Sequence, residues 1–183
     1  MPVKPYLAIL FLVLGSCSLD YGPELAESLE DTPNLVLYGL TYNSVENGQL
    51  VYTLVSETAE EFTDKKETRV TAGTFKEFDA EGQTKVEGSA GVAQINQETK
   101  DANLDKSITL YTRTEDTRLS ATKLDWRNSN KFLTSPQDEK VRVERKGNST
   151  MEGTGFSLDM RTRTLKFTGA VEGTYKNTET PKK

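Results

Sequence analysis

From position 35 onward, apolar and polar residues alternate with a period of two. Residues 35–43 read LVLYGLTYN and residues 49–57 read QLVYTLVSE, two β-rich runs around a turn at Glu46-Asn47-Gly48. An Asn-Gly pair between such runs predicts a β-hairpin. Further runs at 68–72, 74–78, 84–92, 107–114, 117–126, 140–146, 149–159 and 162–175 keep this rhythm, with another turn at Asp79-Ala80-Glu81-Gly82. After Leu35 there is no long apolar stripe at i, i+3, i+4, so helices are not expected there. Short strands with turns every eight to twelve residues or so predict an all-β sandwich or barrel-like body. The many threonines suit a pleated, half-exposed surface.

The alternation assigns faces. Leu50, Tyr52 and Leu54 share one face of their strand, and Ile108 and Leu110 share another with Thr109 and Tyr111 opposite. Leu124 and Trp126 flank Asp125, Val141 and Val143 flank Arg142, and Leu165 and Phe167 flank Lys166. Each strand therefore has one apolar and one polar face. An ordinary β-core and an open, lipid-lined groove both have that pattern.

The first residues depart from it. Lys4 is followed by the apolar run YLAILFLVL at 6–14, and then by Gly15-Ser16-Cys17. A charged start, a short apolar run and a small-residue site make a secretory signal. The run is too short to cross a bilayer core, which needs about 20 residues. Small residues directly before a cysteine predict lipoprotein processing. Residues 1–16 are then removed, and Cys17 becomes a lipidated N-terminus held at a membrane surface outside the cytoplasm. Two or three acyl chains anchor a protein stably where a single chain does not. Residues 18–34 are polar and acidic with two prolines and read as a tether; 35–176 read as the folded domain, and 177–183 as a polar tail.

Composition narrows the chemistry. Cys17 is the only cysteine, so no disulfide framework and no spare thiol are expected. There is no histidine, which excludes Ser-His-Asp and Cys-His catalysis and most zinc and iron sites. Only a carboxylate pair would remain for enzyme chemistry, and nothing singles one out. The net charge of −5 with intermixed signs argues against nucleic acid as a partner. The expectation is a protein that is not an enzyme and uses no metal or cofactor.

Glycines recur within the strands. Val86-Glu87-Gly88-Ser89-Ala90-Gly91-Val92 and Met151-Glu152-Gly153-Thr154-Gly155-Phe156 are loosely alike, and glycine in a strand marks a bulge, a bend or a close backbone approach. The order Leu124-Asp125-Trp126, Phe132-Leu133-Thr134-Ser135, a strand at 139–143, Gly153-Thr154-Gly155-Phe156 with Asp159, Gly169, and Val171-Glu172-Gly173 resembles the LptC family. LptC is the membrane-tethered periplasmic component of the lipopolysaccharide export machine. The Tyr38–Tyr42 run, the hairpin and the segment Phe75 to Gly82 are compatible with its first half. Many members keep a transmembrane helix where this chain carries a lipid-anchor signal.

The resemblance implies an open, twisted antiparallel sandwich, a β-jellyroll or β-taco, whose apolar interior shields acyl chains. The cargo would be lipopolysaccharide or another glycolipid. The strand edge near 35–41 would meet the β-jellyroll domains of an inner-membrane ABC transporter. The edge near 165–175 would meet an LptA-like bridge protein of similar fold. The groove lining would include Leu50, Tyr52, Leu54, Ile108, Leu110, Leu124, Trp126, Val141, Val143, Phe156, Leu158, Leu165, Phe167 and Val171, about half of them touching lipid and the rest forming core. Gly153, Gly155, Gly169 and Gly173 would be the family's glycines. The alternative is a tethered all-β module that binds a protein or a small apolar ligand at the cell surface or in the periplasm.

Overall fold

The computed structural model describes residues 32–146 and 149–175. The signal, Cys17 and most of the tether lie outside the described residues. The strands are β1 (Leu35–Glu46), β2 (Gln49–Phe62), β3 (Glu67–Phe78), β4 (Thr84–Asn96), β5 (Ala102–Thr112), β6 (Thr117–Arg127), β7 (Phe132–Thr134), β8 (Lys140–Arg145), β9 (Ser149–Thr154), β10 (Phe156–Asp159), β11 (Thr164–Phe167) and β12 (Val171–Thr174). They form one antiparallel sheet in the order β1-β2-β3-β4-β5-β6-β7-β10-β11; β8 pairs with β6 and β9, and β9 with β12.

The first hairpin forms as its sequence predicts. Glu46 pairs with Gln49, and Asn47 and Gly48 have φ of 50° and 78°. Two positive φ values match the right-handed twist of the flanking strands.

Elsewhere the period of two is interrupted along a line. The ladders break at Gly39 and Glu57, at Ala72, and at Gly91, and they shift register on either side of Lys106 and Ser107. Gly39, Ala72, Lys106 and Ser107 have φ of 62°, 51°, 64° and 52°. At Gly91 a Cβ would lie 2.7 Å from the Cβ of Lys106, so only glycine fits. On β6 the line reaches Thr122, whose N–H donates to Glu139 Oε1 at 2.7 Å. The line continues through three breaks: 135–139 between β7 and β8, Gly155 (φ 63°) between β9 and β10, and 168–170 between β11 and β12.

The sheet is therefore a meander of nine long runs creased across its middle. One arm holds the strand segments on the Leu40, Ser56, Gly73, Ala90, Ile108 and Ala121 side of the line, with β8, β9 and β12. The second arm holds the other segments, with β7, β10 and β11. Inward positions change parity at the crease, from Leu37 to Leu40, Ala59 to Ser56, Val70 to Gly73 and Ala93 to Ala90. This is why the sequence rhythm suggests separate strands at 68–72 and 74–78, where β3 is continuous through Ala72. Conversely, the runs at 149–159 and 162–175 are each two strands, broken where the chain passes from one arm to the other.

The crease brings the inner faces of both arms into one core. Ile108, Leu119, Val141 and Val143 of the first arm pack with Leu124, Leu133 and Phe156 of the second. Each such side chain contributes roughly 1.5–3 kcal/mol by leaving water.

Candidate lipid groove

Residues directly opposite in an antiparallel ladder share a face, so the register traces the inner surface. On the first arm one inner row runs Tyr42, Leu54, Phe75, Gly88, Leu110, Leu119, Val143, Met151, Gly173. On the second arm another runs Leu37, Ala59, Val70, Ala93, Leu104, Leu124. Trp126, Leu133, Leu158 and Leu165 extend the inner face across β6, β7, β10 and β11.

Exposure changes along these rows. At the β1 end, Tyr42 is 52 % and Leu37 39 % exposed, while Val143 and Leu124 on the same two rows are 0 % and 1 % exposed. The inner face is exposed on the edge strand β1 and already sealed on β2 and β3, where Ala59 and Val70 are 5 % and 2 % exposed.

Side-chain size also varies along the crease. Beside the crease, β2 to β4 present Ser56, Ala59, Gly73, Ala90 and Ala93. Beside the same crease, β5 and β6 present Leu104, Ile108 and Leu124, which help form the cluster. At Gly88 the backbone lies beneath two neighbours, since a Cβ there would sit 2.5 Å from Phe75 Cε1 and 2.6 Å from Leu110 Cδ2. Larger residues there would push the aromatic wall out of the groove.

The sequence-predicted lining separates into three groups and one exposed residue. Leu50, Tyr52 and Leu54 lie on β2 beside the exposed edge strand, where Tyr52 stacks on Phe75 with centroids 6.0 Å apart and rings 20° from parallel. Burial, reinforced by neighbouring Tyr42 and Glu77, pushes the Tyr52 hydroxyl pKa above its usual value, so it presents a neutral rim. Ile108, Leu124, Val141, Val143 and Phe156 are fully buried core. Leu110, Trp126, Leu158, Leu165 and Phe167 pack, partly buried, against that core. Val171, on β12, is exposed and pairs with Gly153.

The glycines serve close approach. A Cβ on Gly153 would meet Ala170 O at 2.9 Å and Phe167 Cδ1 and Val171 Cγ2 at 3.0 Å. Gly155 and Gly169 lie against Thr168 and Thr154, and a Cβ on Gly173 would be 3.0 Å from Thr150 O. Tyr42, Leu37, Ala59, Val70 and Phe75 also face inward, and sequence alternation alone did not single them out. The Asn47-Gly48 hairpin alone could not supply the signal: a bulge between Ser44 and Val45 shifts its register by one and sets Tyr42 opposite Leu54.

Among the described residues, no group of three or more His, Cys, Asp or Glu side chains could hold a metal ion. No helix among them is long and apolar enough to cross a membrane.

A creased antiparallel sheet with an apolar inner face and strands free to pair at both ends defines an open all-β sheet protein. The chain belongs to the LptC family: the model for lipopolysaccharide-assembly, LptC-related proteins matches residues 6–176. It is a component of the periplasmic lipopolysaccharide transport bridge. An uncharacterized protein of Treponema pallidum (strain Nichols) is 23 % identical over 141 residues, covering 77 % of this chain and 71 % of that protein. Among solved structures, this chain is similar to LptH of Pseudomonas aeruginosa, described as the LptA-homologous periplasmic component of the lipopolysaccharide transport device. The identity is 10 %, the TM-score 0.34, and the match covers 81 % of this chain and 98 % of that one.

Proposed function

We propose that this chain receives acylated glycolipid between its two arms and passes it, without making or breaking a bond, from an inner-membrane ABC transporter toward the next β-jellyroll bridge protein. The observation that carries this reading is the apolar inner row that begins at an open β1 end and continues across the sheet. An acyl chain held there is kept from water, which saves roughly 0.8 kcal/mol per methylene. Carriage of this kind needs no catalytic group. A diacylated or triacylated Cys17 would hold the domain at the membrane that supplies the lipid.

The two ends of the sheet support a bridge. Among the described residues, β1 pairs only with β2, β11 only with β10, and β12 only with β9. Unpaired strand edges are aggregation hazards unless used, and a partner strand could extend the sheet there by β-augmentation. On this reading 35–41 faces the transporter and 165–175 the next bridge protein.

The test is photocrosslinking in cells from a probe at Leu54. A glycolipid adduct that requires ATP hydrolysis is expected, and its mass gives the cargo class. A folded, membrane-tethered protein that never yields a lipid adduct would instead be a tethered β-module for a protein or small ligand.

A further inference from the structure

The turns of the two arms differ in charge. Connections 63–66, 97–101, 128–131 and 160–163 lie at the tips of the second arm, and 47–48, 79–83, 113–116 and 146–148 at the tips of the first. The second-arm tips carry six Lys or Arg against three Asp or Glu; the first-arm tips carry two against four. One rim is therefore positive and the other negative, on a chain whose net charge is −5.

Turn geometry does not account for the positive rim. Each second-arm tip places a residue at a left-handed φ, and each time it is a long cation: Lys66 (51°), Lys100 (60°), Lys131 (54°) and Arg163 (54°). That conformation favours glycine, asparagine and aspartate. The first-arm tips follow the preference, with Asn47, Gly48, Gly82 and Asp116 in that region.

The cations also border the inner face. The sheet runs β2-β3-β4-β5-β6-β7-β10-β11, so they recur every second strand, about 9.5 Å apart. Next to them the register places Ile95, Trp126, Leu133 and Leu165 on one inner row, and Lys131 Nζ stands 5.9 Å over the Trp126 ring. At the far end the two rims meet, with an Arg163 guanidinium nitrogen 3.4 Å from Glu115 Oε1. Lys66 Nζ lies 2.6 Å from Glu98 Oε1, and Lys131 Nζ 2.6 Å from Asn128 Oδ1. Exposed polar contacts of this kind are weak, so an incoming anion can exchange with them.

We infer that the positive rim holds the headgroup of the carried lipid. Acyl chains lie on the inner face while headgroup phosphates step along Lys66, Lys100, Lys131 and Arg163, and the negative rim keeps them to that side. The inference rests on the lipid-groove reading. It adds the class of cargo, a glycolipid phosphorylated next to its acyl chains. Weak, evenly spaced sites let the headgroup advance without a deep stop.

The test uses the full lipidated chain in neutral detergent, with a photoreactive benzoyl-phenylalanine at Leu54. The probes are purified lipopolysaccharide and the same lipid stripped of its phosphates. The phosphorylated lipid should give the stronger adduct by about tenfold, the combined effect of several exposed ion pairs, and the preference should shrink as salt is raised. Lys66→Gln, Lys100→Gln and Lys131→Gln together should abolish the preference. Lys85→Gln, Arg113→Gln and Lys146→Gln together make the same change in net charge on the first arm and should leave it intact. Lys100→Glu alone, on an exposed turn that tolerates substitution, should lower it about threefold. Equal labelling by both lipids in the unmodified chain would overturn the headgroup rim and leave the groove reading standing. A preference that survives the second-arm triple variant, or one lost equally in both triple variants, would overturn it too. No adduct from either lipid would defeat the groove reading itself.

Discussion

The edge strand β1 and the strands behind it are built from the same sheet, the same crease and the same alternation, yet β1 leaves its inner face to solvent while the inner rows are buried from Ala59 and Val70 onward. Membership of an inner row does not decide exposure. Leu37 and Leu124 lie on one row, and so do Tyr42 and Val143, but only the second residue of each pair is sealed from water. The difference lies in strand order: Leu37 and Tyr42 are on the edge strand β1, and the next residues on the Leu37 row, Ala59 and Val70, are already sealed. Where both arms present Leu, Ile, Val and Phe they interlock at interior density. Where β2 and β3 present Ser56, Ala59 and Gly73 beside the crease, the packing is close as well: Ser56 and Ala59 are 3 % and 5 % exposed, and a Cβ on Gly73 would lie 3.0 Å from Val70 Cγ1.

The largest effect should come from removing bulk behind the edge strand. Phe156→Ala deletes a ring buried between both arms and leaves a cavity, which costs about 3–5 kcal/mol. Leu54→Ala beside the edge strand should cost about 1 kcal/mol or less, because Leu54 is only half-buried and little cavity results. Urea unfolding of the two variants measures the contrast. Similar losses would mean that β2 at Leu54 is packed like the rest.

Next is the crease itself. Glu139 accepts the Thr122 N–H where the ladder on β6 leaves that donor unpaired. Glu139→Ala should destabilise by about 1 kcal/mol, the usual net worth of such a bond at an accessible site. The same substitution at Glu57, on the crease but on β2, should be within about 0.5 kcal/mol, as for ordinary surface positions. Thermal melts of both variants compare the two ends of one line.

These residues also mark what could be read before the structure. The all-β class, the first hairpin and the inward side of most strands follow from alternation and turn chemistry. The crease does not. Ala72, Lys106 and Ser107 adopt positive φ without being glycine, so no local preference flags them. The parity switch they impose turns one strand into an apparent pair at 68–78 and hides the second-arm row. The candidate lining was legible as a face and not as a groove. Ile108 and Leu54 have the same pattern in the sequence, and only the side chains brought opposite them by the fold separate core from wall.

A third substitution sharpens the contrast in function. Leu37→Asp places a charge on the open inner wall at a position 39 % exposed. It should change stability by less than about 0.5 kcal/mol. It should nevertheless abolish the lipid adduct from Leu54, because a carboxylate among acyl chains is strongly disfavoured without a partner. An unfolded Leu37→Asp protein would assign Leu37 to the core and extend the sealed rows to β1.

The smallest effect distinguishes the turns at the two ends. The Asn47-Gly48 turn is shaped by two positive φ angles and contains no titrating side chain. The β10–β11 turn is held by Asp159, whose Oδ1 accepts the N–H of Arg161 at 2.9 Å and of Thr162 at 3.4 Å, with the Arg161 guanidinium on Oδ2 at 3.2 Å. The Arg161 side-chain hydrogen bonds, with those two backbone donors, hold the Asp159 pKa below its usual 3.8. A carboxylate with a depressed folded pKa stabilises the fold above its unfolded pKa and loses that contribution as pH falls through the folded value. The loosening should therefore begin only below pH 3.8. The amide signals of Arg161 and Thr162 should titrate there while those of Asn47 and Gly48 stay fixed. Asp159→Asn should remove the titration. A midpoint above 3.8, or one shared by both turns, would show that Asp159 does not hold the β10–β11 turn.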